Sequence, residues 1–203
     1  MPRLGIGALA TAILLALGST AWAGGTGHVN FVLGQKQLDA GDWDPVDRQS
    51  EFGAVMSFGR EGWPVFIAVD ILASADDGTL DDDVLGPVDV TAATVEVAAG
   101  VRKIWDRHGA YPYVGGGLAA VGAAVELDSD LFPGDPDSDA DDSAIGPWVG
   151  GGVFWRLGPR FNLGFDVRWT AAKTDLVFDG ATGTSSDIEI GGLHYGLSLG
   201  FGW

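Results

Sequence analysis

The chain of 203 residues carries a formal net charge of −17, with 11 Lys and Arg against 28 Asp and Glu, although 46% of its residues are hydrophobic. Its few cations form no cluster, which argues against nucleic-acid binding, because phosphate contacts are made by grouped Lys and Arg. The absence of cysteine excludes disulfides, thiolate metal ligands and cysteine nucleophiles, and the 33 glycines follow no collagen-like period.

An export signal is predicted at the N-terminus. Arg3 precedes an apolar run over residues 4–17, and Ala21-Trp22-Ala23 places small residues at the −3 and −1 positions of a signal-peptidase site. About 14 apolar residues fall short of the ~20 that a spanning helix needs, so a membrane anchor is the weaker interpretation. We predict a cleaved signal peptide at residues 1–23 and a single domain at residues 24–203.

Eight strands are predicted in this domain, because segments with a hydrophobic period of two recur and no period of 3.6 is sustained. Short turns containing Gly or Pro alternate with long loops. An even number of antiparallel strands with this alternation is typical of a bacterial outer-membrane barrel. The predicted strands are 27–38, 51–59, 64–74, 90–105, 110–126, 146–157, 160–172 and 190–203; the long loops are 39–50, 75–89, 127–145 and 173–189.

The alternation predicts an apolar exterior and a polar lumen. In the last strand every second residue from Leu193 to Trp203 is apolar or aromatic, and the residues between them are Gly, Ser or His194. The third, fourth and seventh strands alternate in the same way. This is the polarity of a membrane barrel and the reverse of a soluble, ligand-binding one. Glycines at 115–117 and 150–152 leave the faces of the fifth and sixth strands unassigned.

Aromatic residues near the strand ends predict interfacial belts, since Trp and Tyr concentrate where hydrocarbon meets headgroups. The alternative is that aromatic residues simply favour strands. The residues expected at the short-turn rim are Trp63, Trp105, Tyr111, Tyr113, Trp155 and Trp203, and those toward the long-loop rim are Trp43, Trp148 and Trp169.

Two motifs carry a family resemblance. The alternating C-terminal residues Tyr195, Leu197, Leu199, Phe201 and Trp203 resemble the terminal signature by which the barrel-assembly machinery recognises outer-membrane proteins. The segment Pro-Tyr-Val-Gly-Gly-Gly-Leu at 112–118 is similar to the glycine-rich strand of opacity-type and OmpA-like barrels.

The resemblance implies an all-β, up-and-down, eight-stranded antiparallel transmembrane β-barrel. It also implies a Gram-negative outer membrane as the location, and outer membrane lipid and lipopolysaccharide as surroundings. We do not expect the peptidoglycan-binding domain that follows the barrel in OmpA-type proteins.

Charged residues on the inward rows are expected in the lumen. Charges in a narrow lumen must pair or be hydrated, so Glu96 or Asp166 is expected to pair with Arg102 or Arg168. An eight-stranded barrel is about wide enough for its own side chains, which favours packing over an ion-pair gate in a small pore. The lumen ion-pair candidates are Asp70, Glu96, Arg102, Asp166, Arg168 and His194.

Catalysis is the weaker interpretation. Eight-stranded barrels that modify lipid A use His with Ser or Asp near the outer rim. His194 and Ser198 share a face here, but four residues of strand separate them by ~13 Å, too far for a hydrogen bond. His28 and His108 have no Ser nearby in the sequence. We predict no enzymatic activity and no cofactor.

Most acidic residues lie in the predicted long loops, and Asp residues alternate at 135–141. An EF-hand needs Gly at its sixth position and Glu at its twelfth, where this chain has Ala140 and Gly146. A solvated acidic loop is therefore preferred over weak binding of divalent cations. The weak metal candidates are Asp135, Asp137, Asp139 and Asp141.

These features predict a non-enzymatic membrane anchor whose acidic loops serve adhesion, envelope integrity or surface interaction. A narrow channel for small ions or apolar solutes is the alternative, and a lipid A-modifying enzyme is less favoured. A closed barrel needs no partner to cover its edges, so we expect a monomer. We expect no nucleic-acid partner.

Overall fold

The computed structural model of the chain describes residues 25–82, 86–129, 139–177 and 184–203. The predicted signal peptide lies outside these described residues. Eight strands close into an antiparallel barrel, in which the first strand also pairs with the last. The barrel strands are β1 (Thr26–Gln37), β2 (Arg48–Gly59), β3 (Phe66–Asp82), β4 (Gly86–Ile104), β5 (Ala110–Ser129), β6 (Asp139–Leu157), β7 (Phe161–Thr170) and β10 (Gly192–Gly202). The predicted fold is confirmed.

Two of the predicted long loops, 39–50 and 173–189, contain secondary structure outside the barrel wall. A one-turn helix, α1 (Ala40–Trp43), connects β1 to β2, and its first turn is capped by the Asp39 carboxylate, which accepts from Gly41 N at 2.7 Å. A two-stranded sheet of β8 (Lys173–Val177) and β9 (Thr184–Glu189) lies between β7 and β10. Among the described residues, no helix is long and apolar enough to cross a membrane.

The four central strands are longer than predicted. β3 to β6 contain 17, 19, 20 and 19 residues, whereas ~9–11 tilted residues cross the hydrocarbon layer. The β3–β4 ladder continues to Asp82 and Gly86, and the β4–β5 ladder to Val88 and Ser129. We call the parts of these strands at 76–82, 86–92, 123–129 and 139–146 the extended sheet.

The prediction that 75–89 and 127–145 are loops was therefore wrong over most of the first range and at both ends of the second. Their acidic residues disfavour strand locally, but ladder pairing with neighbouring strands outweighs this weak preference. Thr79 Oγ1, for example, donates to Asp89 Oδ1 across the β3–β4 pair at 3.0 Å.

The outward face is apolar and the inward face polar, as predicted for the third, fourth, seventh and last strands. The outward residues of β7 and β10 are mostly exposed, while Asn162, Asp166 and His194 on the opposite rows are buried. Exposed apolar side chains thus surround the barrel in a belt that includes Phe31, Leu33, Phe52, Ile67, Val97, Val101, Val114, Leu118, Val149, Leu163, Phe165, Leu197, Leu199 and Phe201.

The glycine runs of β5 and β6 make room for aromatic side chains inside the barrel. A Cβ added at Gly115 would lie 3.2 Å from the Trp148 ring, and one added at Gly152 would lie 2.7 Å from the Tyr113 hydroxyl. Trp148 and Tyr113 are both buried, whereas Val114 on the alternate row is exposed. The two strands therefore alternate like the others, with glycine in place of inward side chains.

The predicted aromatic belts are correct in part. Trp63, Trp105, Trp155, Trp169 and Trp203 are exposed. Trp43, Trp148 and Tyr113 are buried instead, and Tyr111 stacks on Phe154 with ring centroids 5.1 Å apart. Those buried residues hydrogen-bond inside the molecule; Trp148 Nε1, for instance, donates to Ala99 O at 3.3 Å.

We expect a charged side chain to lower the unfolding free energy at the middle of the belt but to have little effect in the extended sheet. Leu197, at the centre of β10 and 66% exposed, should lose about 2–4 kcal/mol of unfolding free energy on Leu197→Lys in phospholipid vesicles. Leu80 is also exposed, at 41%, but lies in the extended sheet, so Leu80→Lys should cost little. Urea unfolding of both variants measures the difference, and equal losses would contradict this placement of the belt.

Candidate functional site

Charged side chains fill the middle of the lumen. Each is buried, and they come from inward positions on β1, β2, β3, β4, β7 and β10. Because buried charge is tolerated only when it is paired and hydrogen-bonded, their contacts decide what this region can do. We call them the central network: Lys36, Glu51, Asp70, Glu96, Arg102, Asp166, Arg168 and His194.

Asp70 binds both arginines of the network. Its Oδ2 accepts from Arg102 Nη2 at 2.8 Å and from Arg168 Nη2 at 2.5 Å, and its Oδ1 accepts from Met56 N at 3.1 Å. Arg102 Nη1 also donates to Ser57 Oγ at 2.9 Å. Asp70 was predicted to lie in the lumen with no named partner, and it pairs with two arginines there.

Arg168 joins Asp70 to a second carboxylate. Its Nη1 forms an ion pair with Glu96 Oε1 at 3.1 Å, and that oxygen accepts a hydrogen bond from Thr170 Oγ1 at 3.1 Å. This is one of the pairings expected from the sequence. His194 lies between two carboxylates, with Nδ1 in contact with Glu51 and Nε2 3.5 Å from Glu96 Oε2.

Asp166 has a different partner from the one expected. It accepts a hydrogen bond from the Tyr113 hydroxyl, and among the described residues it forms no ion pair with Arg102 or Arg168. Tyr113 was assigned to the interface by its position near a strand end. The glycines facing it across the β5–β6 pair were the signal that it could turn inward.

Aromatic rings complete the packing around the arginines. The Arg168 guanidinium lies 4.1 Å from the centroid of Trp148, and that of Arg102 lies 5.3 Å from the centroid of Tyr113. Cations over aromatic faces are stabilised further when they are desolvated. With Tyr113 on β5 and Trp148 on β6, all eight barrel strands contribute to this layer.

Sequence reasoning missed Lys36 and Glu51. Lys36 follows His28, Asn30 and Val32 on the inward row of β1, so extending the period-2 pattern to that strand would have placed it in the lumen. Its Nζ donates to Thr94 Oγ1 and to Ile190 O, both at 2.9 Å. Lys36 therefore links the central network to the segment before β10.

An apolar cluster closes the long-loop end of the lumen. Trp43 of α1 lies in this cluster, and its Nε1 donates to Glu189 O at 2.8 Å. The Asp42 carboxylate accepts from Glu189 N at 3.1 Å, so α1 is bound to β9 at two points. We call this cluster the plug: Leu38, Trp43, Val46, Val90, Ala92, Val121, Ala123, Ala172, Ile188 and Ile190.

Aromatic, histidine and asparagine side chains fill the short-turn end of the lumen. His28 packs against Phe154 with ring centroids 4.9 Å apart, and Asn162 Nδ2 donates to Asn30 Oδ1 at 3.1 Å. The lumen is thus packed at both ends and in the middle. Within the described part of the chain, both nitrogens of His194 face Glu51 and Glu96, away from a nucleophilic arrangement with Ser198.

Two of the four weak metal candidates lie within the described residues. Asp135 and Asp137 lie outside the described residues. Asp139 and Asp141 stand in β6, opposite Glu126 and Ala124 of β5. No group of three or more His, Asp or Glu side chains in the described ranges is arranged to hold a metal ion.

The residues of the C-terminal signature follow one outward row along β10, and the last of them, Trp203, comes directly after the strand. Leu197, Leu199, Phe201 and Trp203 are exposed. The Tyr195 hydroxyl donates to Gln35 Oε1 of β1 at 2.8 Å. The row is therefore available on the barrel surface beside the seam where β10 meets β1.

Comparison with known proteins gives structural relatives only. No protein-family model and no curated protein sequence matches the chain. A major outer membrane protein of Thermus thermophilus matches with a TM-score of 0.58 and 11% identity over 89% of this chain and 99% of that one. The outer membrane protein OprG of Pseudomonas aeruginosa matches with a TM-score of 0.56 and 16% identity over 89% and 96%.

The attachment invasion locus protein Ail of Yersinia pestis, in complex with the heparin analogue sucrose octasulfate, matches with a TM-score of 0.55 and 14% identity. The match covers 89% of this chain and 100% of Ail. At these identities the likeness shows the fold: an eight-stranded barrel of the type found in outer membrane proteins. This agrees with the fold implied by the sequence motifs.

The central network predicts strong coupling between Arg168 and its carboxylates. Arg168→Leu should lower the unfolding free energy by about 3–5 kcal/mol, because it leaves the buried Glu96 without its cation and Asp70 with only one of its two. Adding Glu96→Gln should recover part of this loss, so the two changes should not be additive. Arg48→Leu is the control: Arg48 is exposed, its Nε lies 3.8 Å from the half-buried Asp47, and the change should stay within about 0.5 kcal/mol of wild type. Urea unfolding in vesicles measures wild type, Arg168→Leu, Glu96→Gln, the double variant and the control, and an Arg168→Leu loss no larger than that of the control would contradict the network's role.

Proposed function

We propose that the chain is a monomeric, non-enzymatic outer-membrane barrel that anchors an acidic surface at the cell exterior for envelope or surface interactions. One observation carries this proposal. The lumen is packed from end to end, while the extended sheet continues the barrel wall beyond the apolar belt. The features available to other molecules are therefore the belt and the two ends.

The belt supports a membrane location. Outward apolar side chains with a polar interior suit a barrel surrounded by lipid, since exposed backbone is hydrogen-bonded strand to strand and only apolar groups meet hydrocarbon. The outward row of β10 offers the assembly machinery the motif described above. Outer membrane lipid and lipopolysaccharide are the surroundings that this surface fits.

The extended sheet supports an interaction surface. Asp77, Asp89, Glu126 and Asp141 are exposed on it, and their alternation places them on the row that continues the outward face of the belt. The sheet is held by continuous ladders. It therefore presents negative charge on a rigid wall directly above the lipid-facing surface, where lipopolysaccharide phosphates would lie.

A channel would give measurable ion conductance, whereas a lumen filled by side chains should give none. In planar bilayers we expect no stepwise conductance from wild type, from Arg168→Ala, or from Trp43→Ala, which shortens the plug residue bound to β9. Heat-modifiable migration on gels would show that each variant is folded. Discrete conductance steps from wild type would favour a channel, and steps from Arg168→Ala alone would favour a gate.

The enzyme alternative is tested by lipid A composition. Overexpression of the full chain should leave the mass spectrum of lipid A unchanged, because His194 is held between two carboxylates in the middle of the barrel. A new deacylated or acylated lipid A species that disappears in His194→Gln would contradict the proposal.

The acidic wall predicts a dependence on divalent cations, because carboxylates and lipopolysaccharide phosphates repel one another unless cations screen or bridge them. In bilayers containing lipopolysaccharide, the melting temperature should be higher with magnesium than with EDTA. Asp77→Asn/Asp89→Asn should reduce this difference, whereas Glu61→Gln/Asp106→Asn, at the short-turn end, should not. Equal melting of wild type in magnesium and EDTA would count against the proposal.

A further inference from the structure

The short-turn end of the barrel carries positive charge, in a chain whose net charge is −17. Four cations stand in or beside its turns: Arg60, Lys103, Arg107 and Arg160. A fifth, Arg156, is drawn toward the lumen, where its guanidinium lies 4.7 Å from the centroid of Tyr111. Glu61 and Asp106 are the acids in the same turns, so the rim is locally cationic.

These cations lie beside the exposed tryptophans. Trp63 N donates to Arg60 O at 3.1 Å within one turn, and Gly202 N donates to Arg160 O at 2.8 Å, which places Arg160 next to Trp203. In the turn between them, Arg107 is paired with Ala110, which is itself the ladder partner of Trp155. Each turn thus joins a cation to a ring at the lower edge of the belt.

The turns are too short to carry their cations away from this edge. Each contains a glycine with positive φ, at 85° for Gly62, 91° for Gly109 and 78° for Gly158, a conformation that closes tight reversals. Arg60, Arg107 and Arg160 are exposed. Among the described residues, none of the three forms an ion pair, so their guanidinium groups are available to a ligand.

We infer that this rim binds the phosphate headgroups of anionic phospholipids in the leaflet that surrounds the short-turn end. The inference rests on the proposed membrane location. Tryptophan rings lie at headgroup depth in a bilayer, and Arg or Lys just beyond them reaches the phosphates while its stem stays along the apolar surface. Arg in particular binds phosphate through two parallel hydrogen bonds.

The distribution of the cations favours lipid over a single soluble anion. Arg60, Arg107 and Arg160 lie in three different turns, each between a different pair of strands, so they are spread around the rim rather than gathered in one pocket. Separate headgroups can each meet one cation, whereas a small phosphate can meet only one of them. The acidic extended sheet at the other end would repel the same lipids, so binding at the rim also sets the orientation of the barrel.

A charge-matched pair of variants tests the inference. Arg60→Gln/Arg107→Gln removes two cations from the rim, and Arg48→Gln/Lys173→Gln removes two exposed cations from the long-loop end. The full chain, folded in dodecyl maltoside, is titrated with phosphatidylglycerol or phosphatidylcholine, and bound lipid is counted by native mass spectrometry. Wild type and the long-loop variant should retain phosphatidylglycerol in preference to phosphatidylcholine. The rim variant should bind phosphatidylglycerol at least about fivefold more weakly, since each cation near an anionic surface contributes roughly that factor.

Three outcomes would overturn the inference: equal retention of the two lipids by wild type, equal loss in both variants, or displacement of phosphatidylglycerol by millimolar inorganic phosphate. The second would show an effect of net charge alone, and the third a site for free phosphate rather than lipid. Failure of wild type to insert into phosphatidylcholine vesicles would instead contradict the membrane location. Heat-modifiable migration verifies that each variant is folded.

Discussion

Arg168 is held between Asp70 and Glu96 at the centre of the lumen, and the rest of the structure depends on this pair of buried ion pairs. An eight-stranded barrel encloses little more than its own side chains, so any charge on its inner face must be satisfied there. Three cations, four carboxylates and His194 are buried in this layer, and they come from six of the eight strands. The same packing that satisfies the charges closes the lumen.

Because side chains fill the lumen, the surfaces that can bind other molecules lie on the outside of the barrel. The excess negative charge lies beyond the belt, on the extended sheet and in the segments around α1 and β9, while exposed cations lie at the short-turn rim. Between these ends the wall is apolar and the core is nearly balanced in charge. A barrel built in this way separates charge along its axis, so its two ends meet different chemical surroundings.

The alternation of apolar and polar residues predicted the part of the barrel within the belt well and the extended sheet poorly. The alternation in β4, β7 and β10 placed Glu96, Asp166 and His194 inside, since side-chain direction in a strand follows from residue number alone. The prediction failed where strand pairing outweighs the local preference of acidic residues for loops. Asp77 and Asp89 were predicted to lie in a loop, yet they lie on the continuous β3–β4 ladder. It also failed for Trp148, whose place inside the lumen depends on glycines in the neighbouring strand.

By itself the sequence determined the number of barrel strands, the apolar outward face and the inward residues of the third, fourth, seventh and last strands, because each follows from a period of two along a single strand. Only the tertiary structure decided which of those residues meet. Asp70 lies 32 residues from Arg102 and 98 residues from Arg168 along the chain. Closure of β1 on β10 and the register of each ladder bring these side chains to one level of the lumen, and neither is encoded in the alternation of any single strand.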